Sequence, residues 1–338
     1  MRARLTTAGV VVEVSCARRQ AELALRAAAD GSWTEPDGDE HVDVHVDVES
    51  STEPFDVSGW EPLTRGAWCQ DGDVVLRDAC GSGYDLAVRA TPTRLEVRAR
   101  WRPPITTRGA AAALRGRADL LTRFALLQYP ALWWAGVHGH VPVHAPALEL
   151  EGAVVLLAGP GGVGKSTVIL NEVAQGARVT SDNLSVTDGT SVSGFVEPAK
   201  VTGGTGPRRA HGRRESHLNG RTNALVPTEV WVVRRDGRAE ATLEPGDVRS
   251  AASSLTAGTY MAGELRRYWA FAATLAMGTG LGPSHPPIAD IAARLCSAVP
   301  CRTLRLGRAV PSSLSELRDA ALRAADATPA PVLSSTPR

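Results

Sequence analysis

The sequence predicts an α/β fold in which a larger α/β domain follows a smaller N-terminal α+β domain. An unbroken apolar run at residues 153–158 is typical of a strand buried on both faces, and a glycine-rich turn and a helical segment follow it directly. Before residue 130, apolar and polar residues alternate as in half-exposed strands. We therefore assign residues 1–130 to the α+β domain, 131–327 to the α/β domain and 328–338 to a disordered tail.

Composition excludes several classes of protein. Of the 338 residues, 43% are hydrophobic, which suffices for a buried core. The net charge of +1 favours neither nucleic acid nor an acidic membrane as a partner. No apolar run approaches the roughly 18 residues of a membrane helix, and the N-terminus lacks the apolar core of a signal peptide. The expectation is a cytoplasmic protein without nucleic-acid or membrane partners, with homo-oligomer formation left open.

The elements of the first part are predicted from periodicity. His41, Asp43, His45, Asp47 and Glu49 share one face of a predicted strand, and alternation in a half-exposed strand explains them without a metal ion. Scattered cysteines without a CxxC motif favour neither disulfides nor a zinc site. The predicted elements are strands at 5–14, 41–49, 73–77, 84–90 and 94–101, and helices at 18–29 and at 107–128, the latter ending before Pro130.

The second part alternates strands and helices. A helix from Lys165 to about Gln175 stops at Gly176, a typical C-terminal signal. Residues 202–224, rich in Gly, Arg, Ser and Asn, predict a long loop. The other predicted elements are strands at 140–150, 153–158, 178–181, 184–187, 191–196 and 302–306, a hairpin of 228–234 and 239–243 across Asp236–Gly237, and helices at 247–255, 260–276, 287–298 and from Ser312 or Ser313.

The turn after the buried strand carries a chemical motif. Residues 159–166 read Gly-Pro-Gly-Gly-Val-Gly-Lys-Ser and match the phosphate-binding pattern GxxxxGK[ST], with the required strand before and helix after. Glycines let backbone N–H groups surround a phosphate, and the helix N-terminus attracts the same anion. Lys165 would reach the β- and γ-phosphates, and Ser166 would offer a hydroxyl to Mg²⁺. The predicted ATP-binding residues are Gly159, Pro160, Gly161, Gly162, Val163, Gly164, Lys165, Ser166 and Thr167.

Lysine usage is a second signal. Of 37 basic residues only two, Lys165 and Lys200, are lysines. A lysine kept in a chain that otherwise uses arginine indicates a position where a compact ammonium is needed.

Two polar residues flank the motif in sequence. Asp182 follows the strand after the motif's helix, where an acid could hold Mg²⁺ or accept a proton; the alternative is a turn residue in Ser-Asp-Asn. His144 precedes the buried strand, and a single histidine there is usually only part of the core. If the strand register differs, His140 replaces His144 as the histidine that flanks the motif.

The combination of Val143-His144-Ala145, the glycine-rich motif and Ser181-Asp182-Asn183 resembles the HPr kinase/phosphorylase family over roughly residues 135–200. The resemblance implies a fold similar to that of PEP carboxykinase, with a P-loop that serves a kinase. Many relatives in this branch belong to peptide natural-product pathways, where some phosphorylate a serine of a precursor peptide.

The resemblance also implies roles for residues. His144 would lie by the transferred phosphate, Asp182 would be the general base, and Ser166 and Asp182 would hold Mg²⁺. The family has a second acid where this chain has Asn183, and Glu197 is a candidate replacement as a metal ligand. The family's glycine-rich signature after the acid pair is not recognisable, which leaves open both HPr as substrate and the reverse phosphorylase reaction.

The expected function is therefore ATP-dependent transfer of the γ-phosphate to a hydroxyl, most simply a serine of a peptide or protein. Two alternatives stay open: a small-molecule hydroxyl kinase, and a nucleotide-binding regulatory protein with little transfer. An arginine-rich lid or a solvated loop would account equally for Arg208, Arg209, Arg213, Arg214 and Arg221 after Gly203, Gly204 and Gly206. The N-terminal domain is expected to help bind the acceptor. A fragment from residue 131 should therefore keep some ATP binding but bind the acceptor poorly.

Overall fold

A computed structural model describes residues 1–36, 38, 41–104, 115–201, 206, 213–309 and 311–326. The fold is mixed α/β, which confirms the predicted class. In the described ranges no helix combines the length and apolar character needed to cross a membrane. The helices are α1 (Arg19–Ala28), α2 (Arg115–Arg123), α3 (Tyr129–Val137), α4 (Lys165–Ala174), α5 (Val248–Tyr260), α6 (Tyr268–Thr279), α7 (Ile288–Ala298) and α8 (Leu314–Asp326).

The N-terminal part forms an eight-stranded sheet with the order β1-β2-β3-β8-β7-β6-β5-β4. The strand predicted at 5–14 is two strands, because Ala8 and Gly9 adopt positive φ and turn the chain back on itself. The strands are β1 (Arg2–Thr7), β2 (Val10–Cys16), β3 (Val44–Val48), β4 (Glu61–Thr64), β5 (Ala67–Gln70), β6 (Asp73–Leu76), β7 (Tyr84–Ala90) and β8 (Leu95–Trp101).

A helical run continues from α2 through one wide π-helical turn, Phe124–Gln128, into α3. The prediction that this helix ends before Pro130 was wrong. Pro130 lies in the first turn of α3, where its missing N–H and fixed φ are tolerated. The first part of the predicted helix, residues 107–114, lies outside the described residues. On α3, Trp133 and Trp134 are fully buried, and the helix packs against β2, β3 and β8.

The rest of the chain forms three further sheets, with the orders β10-β11-β17-β19-β18, β16-β13-β12-β9 and β14-β15. In the first of these, β11 runs parallel to β17, and β17 runs parallel to β19. The strands are β9 (Val141–Val143), β10 (Ala147–Leu150), β11 (Ala153–Ala158), β12 (Ser185–Thr187), β13 (Val192–Gly194), β14 (Ala199–Val201), β15 (Arg214–Ser216), β16 (Ala224–Leu225), β17 (Glu229–Arg235), β18 (Thr242–Pro245) and β19 (Cys301–Leu306).

The predicted hairpin across Asp236–Gly237 was wrong. Strands β17 and β18 lie in one sheet, but β19 lies between them and pairs with both. Leu304 and Leu306 of β19 are buried, so the inserted strand supplies core side chains that β18 alone would not. The predicted strand at 140–150 is also divided, because residues 144–146 leave the ladder between β9 and β10. The predicted strand at 178–181 is reduced to bridges at Val179.

Hydrophobic side chains pack on both faces of the β11 sheet. Helices α5 and α7 cover one face, and α4 and α8 cover the other. The largest cluster joins the N-terminal sheet to α3, to α6 and to Phe195. This cluster includes residues on both sides of position 130, and the boundary there stays a prediction. The predicted tail at 328–338 lies outside the described residues.

Candidate functional site

The motif folds into a loop, residues 159–164, that joins β11 to α4; we call it the glycine loop. Two of its glycines are required by their surroundings. Gly159 and Gly164 have φ of 146° and 119°. A Cβ at Gly159 would lie 2.9 Å from the Val233 carbonyl oxygen, and one at Gly164 would lie 2.8 Å from Leu306 Cδ1. The loop therefore holds its shape only without side chains at these positions.

Lys165 begins α4 and turns back over the glycine loop. Its Nζ donates to the carbonyl oxygens of Gly159, at 2.6 Å, and Pro160, at 3.2 Å. Burial lowers the pKa of Lys165 to about 8, although Asp182 and Glu264 act in the opposite direction. Its ammonium is thus held against the loop carbonyls with much of its hydration removed. A partly desolvated ammonium attracts an anion more strongly than one in water.

The first turn of α4 continues the site with two hydroxyls. Ser166 is half-buried and Thr167 is exposed. Backbone N–H groups in a helix's first turn lack partners within the helix, and the helix dipole places partial positive charge there. Together with the glycine loop, this end of α4 has the composition and polarity of a phosphate site.

His144 lies against the glycine loop. A Cβ at Gly161 would lie 3.8 Å from His144 Cε1, so ring and loop are in contact. The His144 N–H donates to Thr259 Oγ1 at 3.0 Å, and its Nε2 lies 2.7 Å from the Asn183 carbonyl oxygen Oδ1. Burial, and then the charge of Lys165, lower the pKa of His144 to about 4. The imidazole is therefore neutral at physiological pH.

Asp182 follows the bridge at Val179 and is almost fully buried. Its Oδ2 accepts the backbone N–H of Lys200 at 3.0 Å. Its other oxygen, Oδ1, is buried and has no hydrogen-bond partner in the described parts of the chain. Asp182 also raises the pKa of Lys165 by its charge, so the carboxylate lies within electrostatic range of the glycine loop's lysine.

A partly buried charge cluster adjoins Asp182. Lys200 Nζ donates to Glu264 Oε1 at 2.8 Å and lies 3.8 Å from Glu197 Oε2. Burial raises the pKa of Glu264, but Lys200 outweighs burial and lowers it to about 2. Burial raises the pKa of Glu197, against the opposite effect of Lys200. The cluster thus contains one firm ion pair, Lys200–Glu264, and a second carboxyl beside it.

Unsatisfied polar atoms converge on this region. Such atoms are rare in protein interiors, because each one costs free energy unless a ligand or water completes it. The Asn183 amide lies close enough to Glu197 to lower its pKa, yet the pair misses hydrogen-bond geometry. Among the described residues the unpartnered buried atoms here are His144 Nδ1, Asp182 Oδ1, Asn183 Nδ2 and Glu197 Oε1.

The candidate metal ligands Ser166, Asp182 and Glu197 do not form a metal cage. Considering the described ranges only, no three or more His, Cys, Asp or Glu side chains are grouped so as to hold a metal ion. Mg²⁺ commonly binds proteins through one or two oxygen ligands and completes its shell with water and substrate phosphates. The residues present fit that mode, since Ser166 offers a hydroxyl and Asp182 Oδ1 has no protein partner.

Several predicted alternatives lie elsewhere. His140 acts electrostatically on Asp188, so the histidine against the glycine loop is His144. Arg221, predicted as part of a lid, is instead tied to Asp30 at 2.9 Å and to the Glu197 carbonyl oxygen at 2.7 Å. Four other residues of the predicted lid and its hinge lie outside the described residues: Gly203, Gly204, Arg208 and Arg209.

Three residues of the site were missed by sequence reasoning. Lys200 carried a signal, as one of only two lysines, but no role was predicted for it. Glu264 carried none, because it stands in a short turn, Gly263–Leu265, more than sixty residues after Lys200. Thr259 was also missed, and it is the residue that fixes the His144 backbone.

No protein-family model matches the chain, and neither does any curated protein.

Proposed function

We propose that the protein is an ATP-dependent kinase that resembles the HPr kinase/phosphorylase family and has its PEP carboxykinase-like P-loop fold. It would transfer the γ-phosphate of ATP to a hydroxyl group, with a serine of a peptide or protein as the acceptor. A natural-product precursor peptide is one such acceptor, and a small-molecule hydroxyl is the alternative.

The observation that carries the proposal is the pairing of the glycine loop with Asp182. The loop and the start of α4 supply backbone donors and Lys165, which together suit the phosphates of ATP. Asp182 lies in range of Lys165 and has a buried oxygen without a partner. A carboxylate at the γ-phosphate end of the loop is the group that can accept a proton from an attacking hydroxyl.

The remaining residues have supporting roles. Lys165 would place its charge on the β- and γ-phosphates, leaving the loop carbonyls it now contacts. His144 presents a neutral ring beside the loop and adds no charge there. Mg²⁺, held with ATP by Ser166 and Asp182, would neutralise phosphate charge. Glu197, which lies beside Asn183, is placed to supply the second carboxyl that the resembling family has at the position of Asn183.

A second candidate function is nucleotide binding with little phosphoryl transfer. The observation that favours it is the contact between Asn183 and His144, because an amide here provides neither a charged metal ligand nor a base. Only one carboxylate, Asp182, then follows the strand where the family has two.

The test compares labelled-ATP transfer and ATP affinity in wild type and variants. Asp182→Asn should retain ATP binding and lose transfer by about 10²–10⁴-fold, because the general base is removed. Lys165→Met should lose ATP affinity as well. Asp56→Asn, at an exposed turn, is the matched control. Transfer near the wild-type rate in Asp182→Asn would reduce Asp182 to a turn residue, and ATP binding without transfer in wild type would favour the regulatory alternative.

A further inference from the structure

Lys200 is an unusual choice of cation for this chain. Only two of 37 basic residues are lysines, and the buried carboxylates Glu13, Glu215 and Glu229 are all paired with arginine. The pairing of Lys200 with Glu264 thus departs from the chain's own habit in its interior. An ammonium is a compact point charge, whereas a guanidinium is a wide planar fork. The use of lysine at position 200 therefore indicates a site that needs a small cation.

Lys200 holds Asp182 through its backbone. Its N–H donates to Asp182 Oδ2 at 3.0 Å, which orients the carboxylate and leaves Oδ1 without a partner. The position of that N–H depends on strand β14, which pairs with β15 in the described part of the chain and is packed through the buried Ala199. A strand of three residues makes few ladder hydrogen bonds, and the Lys200 side chain supplies an additional anchor.

The anchor is Glu264, which lies on the other side of the site. Glu264 follows α5, and the Tyr129 hydroxyl donates to its carbonyl oxygen at 2.6 Å. The last turn of α5 contains Thr259, which accepts the His144 N–H, and Gly258, where a Cβ would lie 3.0 Å from the Gly159 carbonyl oxygen. Glu264 is therefore fixed to the same helix end that touches both His144 and the glycine loop.

We infer that Lys200 and Glu264 form a clamp that holds Asp182 at the glycine loop, which makes both of them positioning residues. One partner fixes the strand that orients Asp182, and the other stands in the short turn that follows the helix end near the loop. Breaking the pair should let Asp182 move relative to the phosphate site while leaving the loop intact. The catalytic part of this inference rests on the proposed function; the structural part does not.

The choice of lysine follows from the same geometry. Its Nζ lies 2.8 Å from the half-buried Glu264 and 3.8 Å from the buried Glu197, so one small cation serves two carboxyls. A guanidinium is a wide planar fork, so we expect it to approach the two carboxyls with a different geometry. Lys200→Arg should therefore fail to restore the clamp, although it retains the charge.

The first readout uses no enzymatic activity. Native-state hydrogen exchange at the Lys200 amide reports directly on its bond to Asp182. It should become faster by about tenfold or more in Lys200→Met, which removes the hydrogen bond to Glu264, and in Glu264→Gln, which removes the charge of its acceptor. The double variant should exchange no faster than the faster single variant, since both remove one interaction. Glu22→Gln, which breaks an exposed pair with Arg26 on α1, is the control.

The second readout separates positioning from simple support. In the folded variants kcat should fall by about 10²-fold, as expected when a reacting group is misplaced, with little change in the KM for ATP. Should Lys200→Met fail to fold, Glu264→Gln retains the side-chain volume and supplies both measurements. Unchanged exchange at the Lys200 amide would overturn the clamp. Faster exchange with kcat equal to that of Glu22→Gln would overturn the positioning role. If the wild type transfers no phosphate, the proposed function fails, and exchange alone decides the clamp.

Discussion

His144 shows how burial sets the chemistry of a single side chain. Its ring is only 7% exposed, contacts the glycine loop and shares a region with the Lys165 ammonium. Both burial and that charge disfavour a second proton, which lowers the pKa of His144 to about 4. A neutral ring can approach a phosphate without binding it as a counter-ion, so the positive charge near the loop comes from Lys165 and from Arg235, whose guanidinium lies beside Gly164.

This burial predicts a pH dependence of stability. His144 accepts its second proton near pH 6.5 in the unfolded chain and only near pH 4 in the folded one. The unfolded state therefore binds more protons between these values, and the free energy of unfolding falls as the pH is lowered from about 6.5 to 4. The difference of 2.5 pH units corresponds to about 3 kcal/mol at the acid end of this window.

Denaturant unfolding of wild type and His144→Gln between pH 7 and pH 4 measures this contribution. His144→Gln should show the shallower slope, because it removes the titration of His144 together with its electrostatic coupling to Glu264. His41→Gln, at an exposed histidine, should keep the wild-type slope. Identical slopes in His144→Gln and wild type would mean that His144 is not held neutral by the fold.

At the scale of single residues, the sequence predicts those site residues that belong to a local motif. Lys165 and Ser166 stand in a contiguous motif, and His144 and Asp182 were assigned their roles through the resemblance to the HPr kinase/phosphorylase family; the structure places both near the loop. Glu264 has no such pattern. It reaches the site because α5 crosses the glycine loop, and this depends on tertiary packing that no local spacing describes.

Helix α5 is the element that links the two sides of the site. Its start is capped by Asp247, whose side chain accepts the Ser250 N–H at 2.8 Å, and its end contacts both the glycine loop and His144. A side-chain cap satisfies one of the donors that a helix start leaves open. Stability at the start of α5 therefore contributes to order at the site.

Removing the Asp247 cap of α5 should destabilise the protein. Asp247→Ala should lower the free energy of unfolding by about 1 kcal/mol, and Asp247→Ser should restore most of the loss, since serine is also a good cap. Thermal unfolding of the three proteins measures both effects. Equal melting temperatures for Asp247→Ala and wild type would show that solvent satisfies the Ser250 N–H equally well.

Elements with strong local patterns were predicted closely. Strands β7 and β11 begin and end at the predicted residues, because alternation in one and an apolar run in the other are complete within each segment. The hairpin failed for the opposite reason: the Asp236–Gly237 turn signal is local, whereas β19, which separates β17 from β18, comes more than fifty residues later. The helix end predicted before Pro130 was wrong because a wide helical turn precedes this proline and lets the helix continue.

At the scale of the whole molecule, one hydrophobic cluster crosses the predicted boundary at residue 130. Trp133, Trp134 and Tyr268 are fully buried in the cluster that also contains the N-terminal sheet. Large aromatic side chains contribute strongly to core stability. No local pattern predicts this continuity, because it arises between strands and helices far apart in the chain.

The cluster changes what a truncation should do. A fragment of residues 131–338 would expose the buried faces of α3 and α6, so we expect it to be aggregated or loosely packed, in contrast to the ATP-binding fragment predicted from the position of the motifs. Near-ultraviolet circular dichroism and binding of a hydrophobic dye test this, and co-expression with residues 1–130 should restore packing. Cooperative unfolding of the fragment alone, with a melting temperature raised by ATP, would establish that the second part folds independently.

The position of β19 has a consequence for synthesis. Leu306, at its end, packs beside Gly164 of the glycine loop, and β17 joins β19 to the loop's own strand. At least 306 residues must therefore leave the ribosome before the loop has all of its neighbours. Pairings between such distant segments form slowly, because chain closure precedes any gain in contacts. During translation the incomplete sheet has an exposed edge that chaperones would need to shield. A ligand of the glycine loop could stabilise the protein only after β19 is in place.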